Sequence, residues 1–446
     1  TMIEERIELI DTALGNTNAD VVIIGGNLVN VFTREIYKAN VLIKGKRIAA
    51  VLDSNQPVPP GAKIIHADGE FIAPGFIDPH MHLESSNLTL TEFAKAVMVR
   101  GVTTIAIDPH EICNVLGVRG IALLMEEAKQ IPLNVFLRVP PRVPEYPSLE
   151  TSGAELTTED IKEMLCWKEA VCIAGDINPN IILTKEREHL EKIEFAISLG
   201  KTVSGASTAL SEKEVNALIA AGLEDSHVPK NLEELIEDIR HGLAMLLTPR
   251  TTKFGVEEFK KLAELINDRK LDTRLLCFCT DDVWAHELDH QGHIDQRIRI
   301  AIAQGLDPLT AYQMATLNTA QLLRIERDYG SVTAGRFADI VILDDLEKVH
   351  VDKTLIHGEV ISDSGKMTVD LLPYQYPEWA KRTIHVPSSL RPEDLQIKVD
   401  DSCHEINVRT IVNSWPKEVI INTLAVEHGK IQPDVEKDLL SIASVE

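Results

Sequence analysis

The chain has 446 residues, a formal net charge of −24 at pH 7 and 44% hydrophobic residues. This length exceeds what one ordinary hydrophobic core organises, so we expect a large barrel-type domain with smaller additions. The net negative charge repels phosphate backbones and argues against a sequence-independent nucleic-acid binder. A small-molecule substrate fits the composition better.

No segment reaches the ~18 to 20 apolar residues that span a bilayer, and no basic stretch near the N-terminus precedes an apolar run. We therefore expect a cytoplasmic protein with no membrane partner. The cysteines show neither a CxxC pair nor a regular spacing, which favours reduced and mostly buried thiols over disulfides. They are Cys113, Cys166, Cys172, Cys277, Cys279 and Cys403.

Both flanks of the chain predict short antiparallel strands. After a helical segment over residues 1–19, "DVVIIGGNLVNVFTREIYKANVLIKGKRIAAVL" (20–52) alternates apolar and polar residues between Gly and Asn turns. A comparable segment returns as "GSVTAGRFADIVILDDLEKVHVDKTLIHGEVI" (330–361). We expect one small β-sandwich domain composed of residues 20–75 and 327–380, with the middle of the chain inserted.

The middle, residues 76–326, alternates apolar runs with amphipathic helix-like segments. The candidate strands are "GFIDPHMH", "TTIAIDPHE", "LNVFLRVPP", "AVCIAGDIN", "TVSGAST", "LEDSHV", "AMLLTPR" and "RLLCFCTDD". Eight strands alternating with helices over about 250 residues predict an α/β fold, a (β/α)8 TIM-type barrel, whose active site lies at the C-terminal ends of the strands. In residues 381–446, "RTIHVP", "LQIKV", "INVRTIVN" and "VIINTLAVEHGKI" predict a separate β segment.

The first barrel strand ends with two histidines, His80 and His82. Side chains two apart on a strand point the same way, so both imidazoles would face one spot at the barrel mouth. Imidazole nitrogen is a good ligand for zinc, iron or manganese. The pair is therefore a candidate metal site, with packing or solvent exposure as the alternative.

Other strand ends carry ionisable groups that would converge on the same mouth. They are Asp108 to Glu111 after strand two, Asp176 after strand four, His227 after strand six, and Asp281 with Asp282 after strand eight. Asp281 is a candidate metal ligand and proton carrier, because a carboxylate beside a metal-bound water can accept its proton and return it to a leaving group. Asp282 is alternatively a cap of the following helix.

Seven motifs, in this joint order, resemble those of the bacterial adenine deaminases of the amidohydrolase superfamily. They are "PGFIDPHMHLESS" (74–86), "DPHEICNVLG" (108–117), "ETSGAEL" (150–156), "CTDD" (279–282), "GHID" (292–295), "MATLN" (314–318) and "GSVTAGRFADIVILDD" (330–345). The resemblance covers nearly the whole chain. It implies a metal-dependent deaminase that converts adenine to hypoxanthine with release of ammonia.

The resemblance also implies roles for single residues. One divalent ion (manganese, iron or zinc) would be held by His80, His82 and Asp281, and a second by a strand-four carboxylate, here Asp176, with histidines of strands five and six, of which His227 is present. A metal-bound hydroxide would attack the amino-bearing ring carbon while a carboxylate carries the proton that lets ammonia leave. The catalytic candidates are Asp281, Glu111 and His227, and the substrate-binding candidates are Glu84, His110, Arg142 and Arg250.

The barrel mouth departs from the family pattern. The family's "GE" on strand four is "GD" here, and the Asp176 carboxylate reaches about 1.5 Å less far. The family's "GHAPG" on strand five is "GASTA", so Ala206 stands where a histidine ligand is expected. Arg142 and Arg250 are new at two strand ends, and arginine suits planar recognition of carboxylate or phosphate. We expect them to bind an anionic or polar substituent that adenine lacks, with surface salt bridges as the alternative.

Three functions remain open from sequence. They are an aminopurine deaminase, a cyclic amidohydrolase that breaks another C–N bond, and a purine-binding protein whose catalysis is weakened by Ala206. Homo-oligomers are common in this superfamily, so one is expected. The histidines of "HELDHQGHID" (286–295) are expected in a solvated loop, with metal binding by His286 and His290 as the alternative if the stretch is helical.

Overall fold

A computed structural model describes residues 2–58, 60–147, 150–174, 179–227, 229–248, 255–269, 271–383, 385–400, 402–412 and 418–442. The chain divides into two compact units, Thr1–Gln375 and Tyr376–Glu446. Two of the predicted site residues, Asp176 and Arg250, lie outside the described residues.

The strands are β1 (Val21–Asn30), β2 (Glu35–Lys44), β3 (Arg47–Asp53), β4 (Lys63–His66), β5 (Phe71–Pro74), β6 (Phe76–His82), β7 (Val102–Ile107), β8 (Asn134–Val139), β9 (Ala170–Ile173), β10 (Thr202–Gly205), β11 (Asp225–His227), β12 (Ala244–Leu247), β13 (Leu276–Phe278), β14 (Asp281–Asp282), β15 (Ile340–Asp345), β16 (His350–Ile356), β17 (Glu359–Asp363), β18 (Lys366–Met367), β19 (Glu405–Val412), β20 (Glu418–Glu427) and β21 (Lys430–Ile431).

The α-helices are α1 (Met2–Leu14), α2 (Leu90–Met98), α3 (His110–Leu116), α4 (Val118–Ala128), α5 (Thr158–Leu165), α6 (Pro179–Leu183), α7 (Arg187–Ser198), α8 (Glu212–Ala220), α9 (Leu232–Arg240), α10 (Val256–Arg269), α11 (Ala285–His290), α12 (Ile294–Ala303), α13 (Pro308–Met314) and α14 (Leu317–Leu322). Short 3₁₀ helices lie at Glu84–Ser86, Glu378–Ala380, Pro392–Leu395 and Val435–Lys437. No helix in the described part of the chain combines the length and apolar character that a bilayer crossing needs.

Strands β6 to β14 form one parallel sheet that closes into a barrel. Neighbouring strands follow chain order from β6 to β13, and β14 pairs with β6. Since β14 continues β13 after an interruption at Cys279 and Thr280, this pairing joins the eighth strand position to the first. The (β/α)8 fold class predicted from the sequence is confirmed.

The barrel strands are buried on both faces, which explains their continuous apolar character. Every residue of β6 and β7 is buried. The surrounding helices are amphipathic; α2, for example, begins where the Thr89 side chain accepts a hydrogen bond from the Glu92 backbone, and it buries Phe93 and Val97 against the barrel. All six cysteines are free thiols, as expected, and four of them are buried.

The two flanks of the chain share a second sheet. Its strand order is β18, β17, β16, β15, β5, β1, β2, β3, with β4 paired to β1. The contact between flanks is antiparallel, with Ile72 of β5 opposite Ile342 of β15. The helix α1 contributes Leu9, which packs on a small cluster that includes Val22 and Leu42.

The second unit contains a hairpin of β19 and β20, to which β21 adds a short third strand. Two strands predicted before this hairpin, "RTIHVP" and "LQIKV", are wrong. Residues 382–383 and 385–387 form no strand, and the second segment makes only an isolated bridge from Lys398 to Lys430. Their side chains are mostly exposed, so an alternating pattern alone does not supply the partner strand that pairing needs.

Gly75 joins the shared sheet to the barrel, and its backbone N–H donates to the Asp339 carbonyl at 2.9 Å. A Cβ at this position would lie well inside van der Waals contact with the buried Thr103 side chain. We expect Gly75→Ala to lower the free energy of unfolding by about 1 to 3 kcal/mol, as overpacking does. Urea denaturation followed by circular dichroism measures this.

The matched control is the double variant Gly75→Ala/Thr103→Ala, in which most of the clashing side chain is gone. Its destabilisation should be smaller than the sum of the two single changes. If the destabilisation of the double variant equals the sum of the two single changes, the steric explanation is wrong.

Candidate metal centre and active site

The last barrel strand brings a carboxylate between the two histidines of the first strand. In the pairing of β14 with β6, Asp281 lies opposite Met81, the residue between His80 and His82. Asp281 Oδ1 is 3.4 Å from His80 Nε2 and 3.6 Å from His82 Nε2. Residues 200 positions apart in sequence thus meet at one point of the barrel mouth.

His227, at the end of β11, joins this group. Its ring centroid is 4.5 Å from that of His80, and the side chain is buried. Ligand atoms of His80, His227 and Asp281 all lie within 4.8 Å of one another. Two imidazoles and a carboxylate within such a distance are a donor set that zinc, iron and manganese accept.

Three observations show that these donors fit a divalent ion. His80 is fully buried, yet neither of its ring nitrogens has a hydrogen-bond partner. Ligand atoms bound at ~2.0–2.2 Å around one tetrahedral ion stand about 3.3–3.6 Å apart, which matches the separations from Asp281 to the two histidines. The Nδ1 of His82 is 3.0 Å from the Asp108 carbonyl oxygen, the contact by which a ligating histidine commonly donates its second N–H.

Electrostatics favour the protonation states in which histidine and aspartate bind metals. Burial lowers the pKa of His80 to about 4, and the charges of Arg138 and His227 add to this effect, so the imidazole is neutral at pH 7. Burial alone would raise the pKa of Asp281. The contact with His80 and the charge of His227 outweigh that effect and hold the pKa of Asp281 below its usual range. Neutral imidazole and ionised carboxylate are the forms that bind metals.

Asp78 connects the first and last barrel strands beneath the candidate ligands. Its Oδ1 accepts hydrogen bonds from the backbone N–H of His80 at 3.1 Å and of Thr280 at 3.3 Å. Its Oδ2 accepts from Thr280 Oγ1 at 2.5 Å and lies 3.3 Å from His293 Nε2. All four side chains are buried. Burial raises the pKa of Asp78 to about 7, although the bonds from Thr280 lower it.

The bonds from Thr280 to Asp78 lie next to an unusual backbone conformation, since Asp281 has a φ of 58°. A left-handed conformation costs a non-glycine residue about 1–2 kcal/mol and persists only where neighbouring interactions impose it. Asp78 binds both the backbone and the hydroxyl of Thr280, the residue immediately before. We therefore assign to Asp78 the positioning of Asp281 against the two histidines.

A second polar cluster follows β7. His110 Nδ1 is 3.3 Å from Asp108 Oδ1, and His110 Nε2 is 3.4 Å from Glu111 Oε1. Burial would lower the pKa of His110, but Asp108 and Glu111 raise it to about 10. Glu84 Oε1 accepts from the Ile112 N–H at 3.0 Å, and burial together with the charge of Glu111 raises the pKa of Glu84 to about 7.

This second cluster opens into a cavity of about 240 Å³. The cavity is lined by Asp108, His110, Glu111, Asn114, Pro141, Arg142, Val143, Glu145, Glu150, Ile181 and His189. The Arg142 side chain is one-third exposed and forms an ion pair with Glu186 at 3.8 Å. The predicted residues therefore form two adjoining parts, His80, His82, His227 and Asp281 in one and Glu84, His110, Glu111 and Arg142 in the other.

Comparisons with known proteins agree with this geometry. Residues 71–361 match the amidohydrolase family. Over 445 residues, 98% of this chain and 74% of the relative, the sequence is 37% identical to adenine deaminase 3 of Rhizobium meliloti. It is 36% identical over 450 residues to the adenine deaminase of Mesorhizobium japonicum, covering 99% of this chain and 74% of that one. The chain belongs to the adenine deaminase family of the amidohydrolases. It is a hydrolase that acts on C–N bonds.

Solved structures show that this amidohydrolase shares its fold with distant members. An adenosine deaminase from Xanthomonas campestris with bound zinc has a TM-score of 0.58 and 15% identity, covering 79% of this chain and 95% of its own. A dihydropyrimidinase from Brevibacillus agri has a TM-score of 0.58 and 14% identity, covering 78% and 96%. At these identities the likeness concerns the barrel architecture alone.

One alternative and one expectation about polar residues in this amidohydrolase are wrong. Asp282 does not cap the next helix: it accepts a hydrogen bond from Ser85 Oγ, and the first turn of α11 is closed by the Glu287 side chain on the Trp284 N–H at 3.2 Å. The stretch expected to be a solvated loop is helical at 286–290, in α11, and again from Ile294, in α12, and that cap and the intrahelical bonds satisfy the backbone of α11. The rings of His286 and His290 lie 4.1 Å apart on α11.

Asp78 and His189 were not predicted as part of the site, and Asp108 was predicted at the barrel mouth without a role. Asp78 lies in the quoted "DPHMH" motif, and its i+2 spacing to His80 was a usable signal. Asp108 contributes a carbonyl to His82 and a carboxylate to His110. His189 carried no signal, because it lies within an ordinary amphipathic helix, α7, and only the fold brings it to the cavity.

We expect Asp78→Ala to weaken metal binding by ~10- to 100-fold, the usual consequence of losing a partner that orients the ligands. Chelator competition followed by elemental analysis measures this. Asp78→Asn, which keeps one acceptor oxygen, should lose less metal affinity than Asp78→Ala. Thr280→Val should also lose less metal affinity than Asp78→Ala. Wild-type metal affinity in Asp78→Ala would refute the positioning role.

Proposed function

We propose that this amidohydrolase is a metal-dependent hydrolytic deaminase of adenine or a related aminopurine. The observation that carries the proposal is the convergence of His80, His82 and Asp281, with 3.4 and 3.6 Å between the carboxylate and the imidazole nitrogens. The 37% identity to a named adenine deaminase supports an aminopurine as the substrate class. The net reaction exchanges the exocyclic amino group for the oxygen of water and releases ammonia.

The chain offers His80, His82, His227 and Asp281 as the residues that would hold the ion. A bound divalent ion supplies Lewis acidity and lowers the pKa of water toward neutrality. The ion is manganese, iron or zinc, because imidazole and carboxylate ligands accept all three.

Asp281 is proposed as the proton carrier. Its low pKa makes it an ionised base at neutral pH. It takes the second proton of the water, from the hydroxyl group added to the ring carbon, and gives it to the amino group, so that the carbonyl forms as ammonia leaves. Asp78, through its bonds to Thr280, is proposed to position the backbone that carries this carboxylate.

Glu111 is proposed to take the first proton of the attacking water and to deliver it to the ring nitrogen next to the reacting carbon. Its Oε2 is 3.7 Å from His82 Nδ1, so the carboxylate borders both the candidate metal ligands and the cavity. His110, held between Asp108 and Glu111, orients the Glu111 carboxylate through Oε1 at 3.4 Å. Ring protonation stabilises the negative charge that develops on the ring when water adds.

We expect Glu111→Gln to lower kcat for ammonia release from adenine by ~10²- to 10⁴-fold, the usual contribution of a proton-transferring group, with the metal content unchanged. A coupled ammonia assay and elemental analysis measure the two quantities. Glu126→Gln, on the exposed face of α4, is the control for loss of one negative charge and should retain full activity.

Two outcomes would refute this assignment. Wild-type kcat in Glu111→Gln would exclude the proton-delivery role. Opening of a cyclic amide by the wild-type enzyme, seen in ultraviolet absorbance and without ammonia release from any purine, would favour the cyclic amidohydrolase alternative.

The proposed centre binds one ion. Ala206, which directly follows β10, has no donor atom where family members supply a histidine ligand. We expect about one ion per chain by elemental analysis and a second in Ala206→His, because an imidazole there restores a donor. Ala206→Ser is the control that fills the space without a ring nitrogen. Two tightly bound ions in the wild type would contradict the one-ion proposal, and none at all would favour the purine-binding alternative.

A further inference from the structure

The cavity beside the candidate metal centre has a basic corner in an acidic surrounding. Four carboxylates line the cavity, from Asp108, Glu111, Glu145 and Glu150. Arg142, in the segment after β8, and His189, in the first turn of α7, contribute the basic corner. In a chain with a net charge of −24, an arginine at the wall of a cavity that four carboxylates line indicates a specific ligand contact.

His189 has a buried polar atom without a partner. The side chain is 3% exposed, and its Nε2 makes no hydrogen bond. Burial lowers the pKa of His189 to about 4, and the charges of Lys192 and Arg142 add to this, so the ring is neutral and can donate one hydrogen bond. A buried polar atom without a hydrogen bond destabilises the protein, and a ligand that forms this hydrogen bond removes the penalty.

Lys192 fixes the position of this corner. The lysine is 5% exposed, and its Nζ donates to the Pro141 carbonyl at 3.3 Å and lies 3.1 Å from Glu188. Lys192 is one turn from His189 on α7, and Pro141 immediately precedes Arg142 in the chain. The contact therefore ties the helix that carries the imidazole to the segment that carries the guanidinium.

Arg142 does form an exposed ion pair, with Glu186, but a pair of this kind is weak and leaves guanidinium donors for a ligand. The 3.8 Å separation from Glu186 is too long for a hydrogen bond, and both side chains are substantially exposed. The guanidinium has five N–H donors and no acceptor, so it needs acceptor oxygens to bind.

We infer that Arg142 and His189 form a subsite for a hydrogen-bond acceptor on the substrate, an oxo group on the purine ring away from the amino group. The inference rests on the proposed deaminase function and narrows its substrate class to oxo-substituted aminopurines. Such rings carry a ring N–H beside the carbonyl. The carboxylates of the same cavity accept that N–H while the basic corner binds the oxygen, so the two kinds of lining group bind complementary parts of one lactam.

The test compares ammonia release from adenine, 2-oxoadenine and 8-oxoadenine by the full-length, metal-loaded enzyme. We expect kcat/KM to be at least ~10-fold higher for one oxo compound than for adenine. Arg142→Met and His189→Leu should each remove ~10-fold or more of kcat/KM for that compound, chiefly through KM, and change adenine turnover by less than about 3-fold. His189→Gln, which retains an N–H donor, should restore part of the loss.

Arg187→Met is the matched control, since this neighbouring arginine is 92% exposed in its side chain and outside the cavity. It should leave the substrate preference unchanged. Thermal unfolding shows whether His189→Leu, a change at a buried residue, has a folding defect. Arg142→Met tests the same corner at a partly exposed residue.

Binding of the reaction products distinguishes failure of this inference from failure of the deaminase proposal. Calorimetry with hypoxanthine, xanthine and 6,8-dioxopurine needs no turnover. Tighter binding of an oxo product, lost in Arg142→Met and His189→Leu, supports the subsite even if no purine releases ammonia. Equal affinities for all three products, unchanged by both variants, overturn the subsite, and adenine deamination would then leave the proposed function intact.

Discussion

The closure of the barrel between its first and last strands is the constraint on which the candidate centre depends. Pairing of β14 with β6 sets Asp281 level with Met81, and the Asp78 carboxylate binds the backbone on both sides of that junction. The metal ligands are therefore defined by strand pairing and by one buried carboxylate rather than by flexible loops.

The two residue clusters at the barrel mouth differ in their protonation states. At the candidate metal ligands, burial keeps His80 neutral and the histidines keep Asp281 ionised. In the adjoining cluster, two carboxylates keep His110 protonated. Residues of the same types thus adopt different protonation states within a few ångströms, because burial dominates in one cluster and neighbouring charge in the other.

Much of this arrangement follows from sequence. Continuous apolar runs predicted the barrel because parallel strands are buried on both faces, and the two-residue period of a strand predicted that His80 and His82 face one point. Asp281 followed from its place after the eighth strand. These inferences depend on local periodicity, which the sequence expresses directly.

Other parts depend on contacts that no local pattern encodes. His189 lies in a helix with ordinary amphipathic character, and only packing brings it to the cavity. The segments at 382–383, 385–387 and 395–399 have strand-like alternation, yet in the described chain they make no more than the isolated bridge from Lys398 to Lys430. Asp282 has the composition of a helix cap, yet Ser85, from the far end of the barrel sequence, binds it instead.

The sheet shared by the two flanks has a consequence for the order of events during synthesis. Strand β5 leaves the ribosome before any barrel strand, whereas its partner β15 follows the last one. Chains grow from the N-terminus at ~5–20 residues per second, so the edge of β5 waits for the entire barrel to be made before it is covered. An unpaired strand edge is open to association with other chains throughout that interval, which makes the nascent polypeptide, rather than the finished enzyme, the form in greatest need of a chaperone.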